Sequence, residues 1–250
     1  MITCYAQPDK LKSWRVLEAF AAGCKGKLAC TTSASLAPGG AAFYGVRPAW
    51  QHLWQQAQDE QRETFYLDNS WFDTTREAFF RIGHNAVQSW SSKPSDGKRL
   101  SSLGIQPKPW NKRGKHIIVC PQSDEFMRFA GWGQGRAGWL QHVTQRLEKF
   151  TERKIIVRSK RDPRPLAAQL QDAWLLVAHS SAAAVEALIA GVPVILTDRD
   201  CAAASFSSAF PLVETPRYPE GRAEWLARLA DSQWTETELK NGTAWRKLHE

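Results

Sequence analysis

The sequence lacks several features that define particular classes of protein. It has no low-complexity tract and no apolar run near the roughly 20 residues that a membrane-spanning helix needs. Its start, MITCYAQPDK, lacks the basic-then-apolar pattern of a secretory signal peptide. The five cysteines are scattered, without a CxxC pair or a paired Cys/His spacing, which argues against a structural zinc site and favours a reducing compartment. We therefore expect a globular cytoplasmic protein, monomeric and without a metal site.

Positive charge and tryptophan are the two features present in excess. The formal net charge is +8, and there are 12 tryptophans, most of which we expect to pack in the core. Residues 93–115 hold seven Lys or Arg against one Asp, and residues 153–164 hold six against one. Such patches favour phosphate groups or polyanions. The alternative is that these segments are a solvated linker and a solvated strand edge.

The second half of the chain alternates between apolar runs and segments of helical periodicity. This pattern predicts a parallel sheet covered on both faces. The predicted strands are residues 116–122, 154–160, 174–180 and 192–198, and the predicted helices are residues 138–152, 165–173 and 181–191.

The first half alternates less regularly, with helices predicted over residues 9–24 and 47–61 and strands over 27–32, 39–46 and 63–70. The chain as a whole therefore predicts a compact α/β fold, with two Rossmann-like halves that face each other across a cleft. The predicted divisions are an acceptor-side half at 1–92, a basic linker at 93–115, a donor-binding half at 116–215 and a helical segment across the junction at 216–250.

The segment HSSAAAVEALIAGVPVILTDRD, residues 179–200, places polar side chains where a buried strand becomes a helix. Ligands of parallel α/β sheets bind beyond the carboxyl ends of the strands. A helix that begins there offers free N–H groups and the positive end of a dipole to a phosphate. His179, Ser180 and Ser181 are therefore candidate ligand-binding residues, and Glu186 is placed to bond ribose hydroxyls. The alternative is that the serines only cap the helix and that Glu186 is solvated.

The order of strand, two small hydroxyl residues, helix with Glu-Ala-Leu and then Ala-Gly-Val-Pro-Val-Ile resembles the donor half of GT-B glycosyltransferases. It is similar to the lipid-linked glucosaminyltransferases of peptidoglycan synthesis and, more closely, to the capsule-polysaccharide-synthesis type. The resemblance covers about residues 115–210. It implies that the helix start at Ser180 and Ser181 binds the donor diphosphate and that Glu186 binds the ribose. The glycine-rich turn of the family is replaced here by Ser-Ser-Ala.

Other strand ends supply candidate groups for the same site. Arg158 and Lys160 end the second predicted strand, where cations can neutralise a diphosphate without a metal. Arg136, in the loop GWGQGR, is a further candidate phosphate ligand. An exposed basic loop is the alternative for Arg158 and Lys160.

An inverting transfer needs a base for the acceptor hydroxyl. Asp68, at the end of a predicted strand in the first half, is the first candidate, and His84 is the second. The alternatives are that Asp68 caps a turn and that His84 is a packing residue. A retaining mechanism would need no such base.

These observations predict a hexosyl transferase that uses a nucleotide sugar, in particular a UDP-sugar, with neither a cofactor nor a metal. The basic patches favour duplex DNA with a hydroxymethylated base as the acceptor, as in virus-encoded DNA modification in a host cytoplasm. Such an acceptor requires base extrusion. The predicted acceptor residues are Lys112, Arg113, Lys115, Trp71 and Trp132. A surface or capsule polysaccharide transferase and a non-catalytic nucleic-acid-binding module are the two alternatives.

Overall fold

The computed structural model describes residues 1–32, 35–72, 78–159 and 161–250. The chain divides into two compact units: Met1–Ser92 together with Leu229–Glu250, and Lys93–Arg228. Among the described helices, none has the length and apolarity that crossing a membrane would require.

The helices and strands of the described residues alternate along most of the chain. In chain order they are β1 (Ile2–Ala6), α1 (Leu11–Gly23), β2 (Lys27–Cys30), β3 (Gly40–Tyr44), α2 (Pro48–Asp59), β4 (Thr64–Asn69), β5 (Phe79–His84), α3 (Lys98–Ser102), β6 (His116–Cys120), α4 (Asp124–Phe129), α5 (Gly135–Glu148), β7 (Lys154–Val157), α6 (Leu166–Leu170), β8 (Ala173–Ala178), α7 (Ala182–Ile189), β9 (Val194–Leu196), α8 (Arg222–Asp231), β10 (Gln233–Thr235), α9 (Glu236–Lys240) and α10 (Thr243–Leu248).

The sheet of the first unit has six strands in the order β10-β5-β4-β3-β1-β2. Strands β1 to β4 are parallel, whereas β5 is antiparallel to β4 and β10 is antiparallel to β5. Every residue of β1 and β3 is buried, as expected for inner strands that are covered on both faces. The carboxyl ends of β1 to β4 therefore lie at one edge of this sheet.

Aromatic and aliphatic side chains fill the core of the first unit. On one face, Leu17 and Phe20 of α1 pack in a cluster with Phe65 and with Leu239 of α9. A separate group of aromatic rings lies between α2 and the neighbouring strands, with centroids 4.9–6.2 Å apart: Phe43, Trp50, Trp54 and Tyr66. These tryptophans are packing residues, as the composition predicted.

The sheet of the second unit is entirely parallel, with the order β7-β6-β8-β9. This confirms the parallel sheet predicted for this part of the chain. The turn after α7 contains Gly191, whose φ is +80° and whose added Cβ would lie 2.1 Å from the carbonyl oxygen of Pro109. A glycine is needed at this position because both the backbone conformation and the close approach exclude a side chain.

The structure contains elements that the alternation did not predict, namely β1, β5, β10, α3 and α4. Strand β5 lies in a segment of mixed polarity because its central residue, Arg81, is buried and pairs across the ladder with Asp68. The helical C-terminal segment is interrupted by β10, and Gly242, with a φ of +78°, separates α9 from α10. The predicted stop at Asn241-Gly242 is therefore confirmed.

Candidate functional site

The candidate site is the carboxyl edge of the sheet in the second unit. Because its four strands are parallel, the residues that follow them lie along one edge. Polar side chains follow every strand at this edge: Gln122 and Ser123 after β6, Arg158 and Ser159 after β7, His179, Ser180 and Ser181 after β8, and Thr197 and Asp198 after β9.

The start of α7 lies at this edge, as the sequence predicted. Ser181 is the N-cap of the helix, with its Oγ accepting a hydrogen bond of 3.2 Å from the backbone N–H of Ala183. Its hydroxyl therefore has the capping role that was the alternative interpretation, and the N–H of Ala184 in the same turn donates to the backbone carbonyl of Ser181 at 3.0 Å. Ser180 is buried, and the side chain of Gln122 hydrogen-bonds to its backbone, accepting from N–H at 2.9 Å and donating to C=O at 3.1 Å.

His179 is buried at the tip of β8, with 7% of its surface exposed. Its Nδ1 lies 2.8 Å from the Oγ1 of Thr197, and the same oxygen accepts a hydrogen bond of 2.8 Å from the Nε1–H of Trp139. The ring is bordered by Phe126 and Trp132, with centroids 6.4 and 6.2 Å away. Burial lowers the pKa of His179, and Asp198 opposes this effect. The imidazole is therefore neutral at physiological pH.

Arg158 and Glu186 carry opposite charges, and both act on the thiol of Cys120. Neighbouring groups desolvate the Glu186 carboxyl enough to raise its pKa, although the residue is exposed on α7, and Arg158 opposes that rise. Burial also raises the pKa of the Cys120 thiol to about 12, where Arg158 again lowers it and Glu186 raises it. The three groups are thus close enough to affect one another's charge, and the cysteine is a neutral thiol.

The Arg158 side chain has unused hydrogen-bonding capacity. Its Nε is buried without a hydrogen-bond partner among the described residues, and its other nitrogens make only long contacts of 3.4 Å to backbone carbonyls. Buried polar groups are seldom left unpaired, so this nitrogen is a candidate for a ligand contact. The amide of Gln169 on α6, which is 7% exposed, instead acts on the Asp162 carboxylate and lowers the pKa of that carboxyl.

Trp132 and Arg136 lie in and after the loop that joins α4 to α5. Asp124 holds this loop, because its carboxylate accepts hydrogen bonds from the side chain of Arg128 at 2.8 Å and from the backbone N–H of Arg136 at 2.9 Å. The ring of Trp132 contacts His142 as well as His179. Lys160, which was predicted to bind the donor, lies outside the described residues.

In the first unit, Asp68 lies near the carboxyl end of β4 and pairs with Arg81 of β5 at 2.9 Å. The side chains are 22% and 6% exposed, respectively, so the pair is largely desolvated. Burial raises the pKa values of Tyr44 and Tyr66, and the nearby Asp68 carboxylate raises both further. Asp68 is therefore a carboxylate at the carboxyl edge of this sheet that pairs with Arg81 and affects the pKa values of two nearby tyrosines.

His84 lies at the opposite edge, because it pairs with Phe65 near the amino end of β4. Its ring stacks on Phe65, and its Nε2 lies 3.0 Å from Oε1 of Glu63. His84 and Glu63 border an open pocket of about 490 Å³ that is also lined by Arg62 and Asn85. The position of His84 at the amino edge argues against it as a base in the same site as Asp68.

Trp71 and the three basic residues before β6, all predicted to bind a DNA acceptor, lie in positions that do not favour this role. Trp71 is 2% exposed and its Nε1–H donates to Gln88, so its ring is not presented for stacking on an extruded base. Lys112, Arg113 and Lys115 directly precede β6 and thus lie at the amino edge of the second sheet, away from Ser180. Their side chains are exposed, but they do not border the candidate site.

Sequence reasoning did not assign roles to Gln122, Gln169, Thr197 or Trp139. Gln122 and Thr197 are polar residues that directly follow apolar strands, and this position is the signal in the sequence that indicates them. Trp139 and Gln169 lie within helices, and no spacing in the sequence indicates that they approach this edge.

No protein-family model matches the chain, and no curated protein matches it in sequence. Among solved structures, the chain is similar to the KpsC β Kdo 2,4 transferase of Thermosulfurimonas dismutans, with a TM-score of 0.55 and 12% identity over 92% of this chain and 90% of that one. It is also similar to the KpsC β Kdo 2,7 transferase of the same organism, with a TM-score of 0.50 and 13% identity over 100% of this chain and 99% of that one.

These similarities extend over nearly the whole chain and confirm the predicted α/β, GT-B-like fold, with two parallel-rich sheets. At this level of identity, they define the fold and leave the chemistry to the residues of the site.

Proposed function

We propose that the protein is a glycosyltransferase that binds a nucleotide-activated sugar at the carboxyl edge of the sheet in the second unit. The observation that carries this proposal is the start of α7 at that edge, with Glu186 one turn further along, in a chain whose fold is similar to two Kdo transferases. A helix start that offers N–H groups suits the phosphate, and a carboxylate one turn away suits the ribose hydroxyls.

The charges of the site suit a leaving nucleotide. Arg158 carries a guanidinium whose buried Nε has no partner among the described residues, and the start of α7 adds the positive end of a helix dipole. Both act on the negative charge that develops on the phosphate as the glycosidic bond breaks. Asp68 is the proposed base for the acceptor hydroxyl.

For the sugar and the acceptor, we propose an acidic sugar of the Kdo type and a surface polysaccharide. The support is that both similar structures are named as Kdo transferases. The hexosyl transfer and the DNA acceptor that the sequence favoured have no support from these similarities. The basic residues Lys112, Arg113 and Lys115, on which the DNA acceptor depended, lie at the other edge of the sheet.

Calorimetry with CMP, UMP, UDP and ADP tests the donor site. We expect binding of at least one pyrimidine nucleotide, with a much weaker response from Glu186→Ala. The matched control is Glu148→Ala, which removes an exposed glutamate from α5 of the same unit. A chain that binds none of these nucleotides would exclude the proposal, and would leave a nucleic-acid-binding module as the alternative.

Transfer is tested by incubating the protein with CMP-Kdo or UDP-glucose and one of three acceptors: an oligosaccharide ending in Kdo, duplex DNA with hydroxymethylcytosine, and plain duplex DNA. We expect a mass gain of one Kdo on the oligosaccharide alone. A gain of one hexose on the modified DNA would instead establish the DNA acceptor. Nucleotide binding without transfer to any of them would retain the donor site and reject both acceptors.

A further inference from the structure

Three side chains form a hydrogen-bonded chain that ends at the candidate site. Trp139 of α5 is completely buried, and its Nε1–H donates to Oγ1 of Thr197, which follows β9. Thr197 Oγ1 lies in turn 2.8 Å from Nδ1 of His179, which follows β8. These two hydrogen bonds thus join a helix and two strand ends.

The proton positions in this series of hydrogen bonds follow from whether each group can donate or accept. An indole nitrogen only donates, so Trp139 occupies one lone pair of the Thr197 oxygen. The hydroxyl hydrogen of Thr197 then needs an acceptor, and among the described residues the only hydrogen-bond partner in reach is Nδ1 of His179. A nitrogen that accepts carries no proton, so in the neutral ring the proton lies on the other nitrogen.

We propose that Trp139 and Thr197 are positioning residues that fix His179 as its Nε2–H tautomer, so that His179 presents one neutral N–H donor to a phosphate oxygen of the bound nucleotide. The Nε2 atom makes no hydrogen bond to any residue that the structure describes. The Gln122-bound Ser180 and the start of α7 follow His179 directly in the chain, so the donor lies beside the proposed phosphate site.

The surroundings of the ring are consistent with a neutral donor. Phe126 of α4 and Trp132 border it, and Asp198 is the charged group that acts on it. With Nδ1 occupied by Thr197 and Nε2 carrying a proton, His179 has no free lone pair with which to accept a proton. It therefore positions the nucleotide and does not act as a general base.

The tautomer is a property of the free protein, whereas its use toward phosphate rests on the proposed function. The first test is accordingly a long-range ¹H–¹⁵N correlation spectrum of the histidine-labelled protein without nucleotide, with His179→Gln used to assign the signal. We expect Nε2 to have the shift of a protonated nitrogen and Nδ1 that of an unprotonated one. The opposite pattern would overturn the proposal.

Variants of Thr197 show whether it fixes the tautomer. Thr197→Val keeps the shape and removes the hydroxyl, so we expect the His179 signals to move toward a mixture of tautomers. Thr197→Ser restores the hydroxyl and serves as the rescue variant if the valine variant folds poorly. A wild-type pattern in a folded Thr197→Val protein would show that Thr197 does not position the ring.

The ligand role is tested by titrating CMP into two replacements of His179. The amide nitrogen of Gln reaches the position of Nε2, whereas that of Asn reaches only Nδ1. We expect His179→Gln to bind CMP almost as tightly as the wild type and His179→Asn to bind about tenfold more weakly or worse. Equal affinities for the two variants would overturn the phosphate contact. No CMP binding by the wild type would count against the proposed function instead, while the spectrum would still decide the tautomer.

Discussion

The side-chain amide of Gln122 hydrogen-bonds to both the backbone N–H and the backbone C=O of Ser180, at 2.9 and 3.1 Å. Strands β6 and β8 end at Cys120 and Ala178, so these bonds add one side-chain rung to the ladder beyond its last backbone pair. The rung fixes the backbone just before α7 begins. The N–H groups that are proposed to bind phosphate are therefore held by a residue of the neighbouring strand end.

We expect Gln122→Ala to lower the free energy of unfolding by about 1–3 kcal/mol, because it removes two hydrogen bonds from a buried backbone. Urea denaturation measures this change. Gln55→Ala is the control, since Gln55 bonds only to Asp59 on the exposed surface of α2, and a change below about 0.5 kcal/mol is expected there. Equal changes in the free energy of unfolding of the two variants would show that the Gln122 hydrogen bonds do not stabilise the fold.

Glu186→Ala should weaken nucleotide binding by about tenfold to a hundredfold, equivalent to about 1–3 kcal/mol for the ribose hydrogen bonds that the variant cannot make. The fold should be retained, because Glu186 is exposed on α7. Calorimetry checks the affinity and the unfolding transition checks the fold. Unchanged affinity in the variant would remove Glu186 from the donor site.

The raised pKa of Glu186 also predicts a pH dependence. Burial is the main cause of the rise, so this glutamate is protonated at a higher pH than an ordinary one. With respect to folding, a raised carboxyl pKa contributes stability at low pH that is lost as the pH rises through the folded-state pKa. With respect to binding, the ionised carboxylate is the better acceptor for ribose hydroxyls. Nucleotide affinity should thus decline as the pH falls through that pKa, and Glu186→Gln should remove most of the dependence.

Asp68→Asn should lower turnover by about 10²–10⁴ if Asp68 is the base, with nucleotide affinity unchanged. It should also cost about 3 kcal/mol of stability, because the buried guanidinium of Arg81 loses its carboxylate partner. Turnover is therefore to be measured well below the midpoint of thermal unfolding of the variant.

His84→Gln is the matched comparison for the base, since His84 lies at the other end of the same pair of strands. We expect full turnover from this variant. Full turnover from Asp68→Asn as well would favour a retaining mechanism, in which no base for the acceptor is needed.

The basic residues before β6 provide a test that separates charge from chemistry. Replacing Lys112, Arg113 and Lys115 together by Gln should reduce the slope of log DNA affinity against log salt by about 2 to 3, at about 0.9 for each phosphate that is no longer neutralised. Nucleotide affinity should remain as in the wild type, because these residues lie at the amino edge of the sheet. Weaker nucleotide binding by the triple variant would contradict this placement.

The sequence alone was sufficient for the parallel sheet of the second unit and for the start of α7. Continuously apolar strands that alternate with amphipathic helices have few packing solutions, and a strand followed by two small hydroxyl residues defines where the helix begins. The same local order carried the resemblance to the capsule-type transferases, and the similarity of fold to the Kdo transferases agrees with it.

Local patterns did not reveal the residues whose roles depend on contacts between distant segments. The mixed polarity around Arg81 concealed β5, because the carboxylate that pairs with this arginine is on another strand. Trp71 was predicted to be available for stacking on a base, but its side chain is buried in the first unit.

The sequence by itself determined the fold class and the position of Glu186 and Ser181 on one helix, because both depend on short-range periodicity. Only the tertiary structure decided which polar groups meet. Trp139, His179 and Thr197 are brought together by the parallel order of β8 and β9 and by the packing of α5. It also separated Asp68 from His84, since two residues on adjacent antiparallel strands lie at the same edge or at opposite edges according to the register of the ladder.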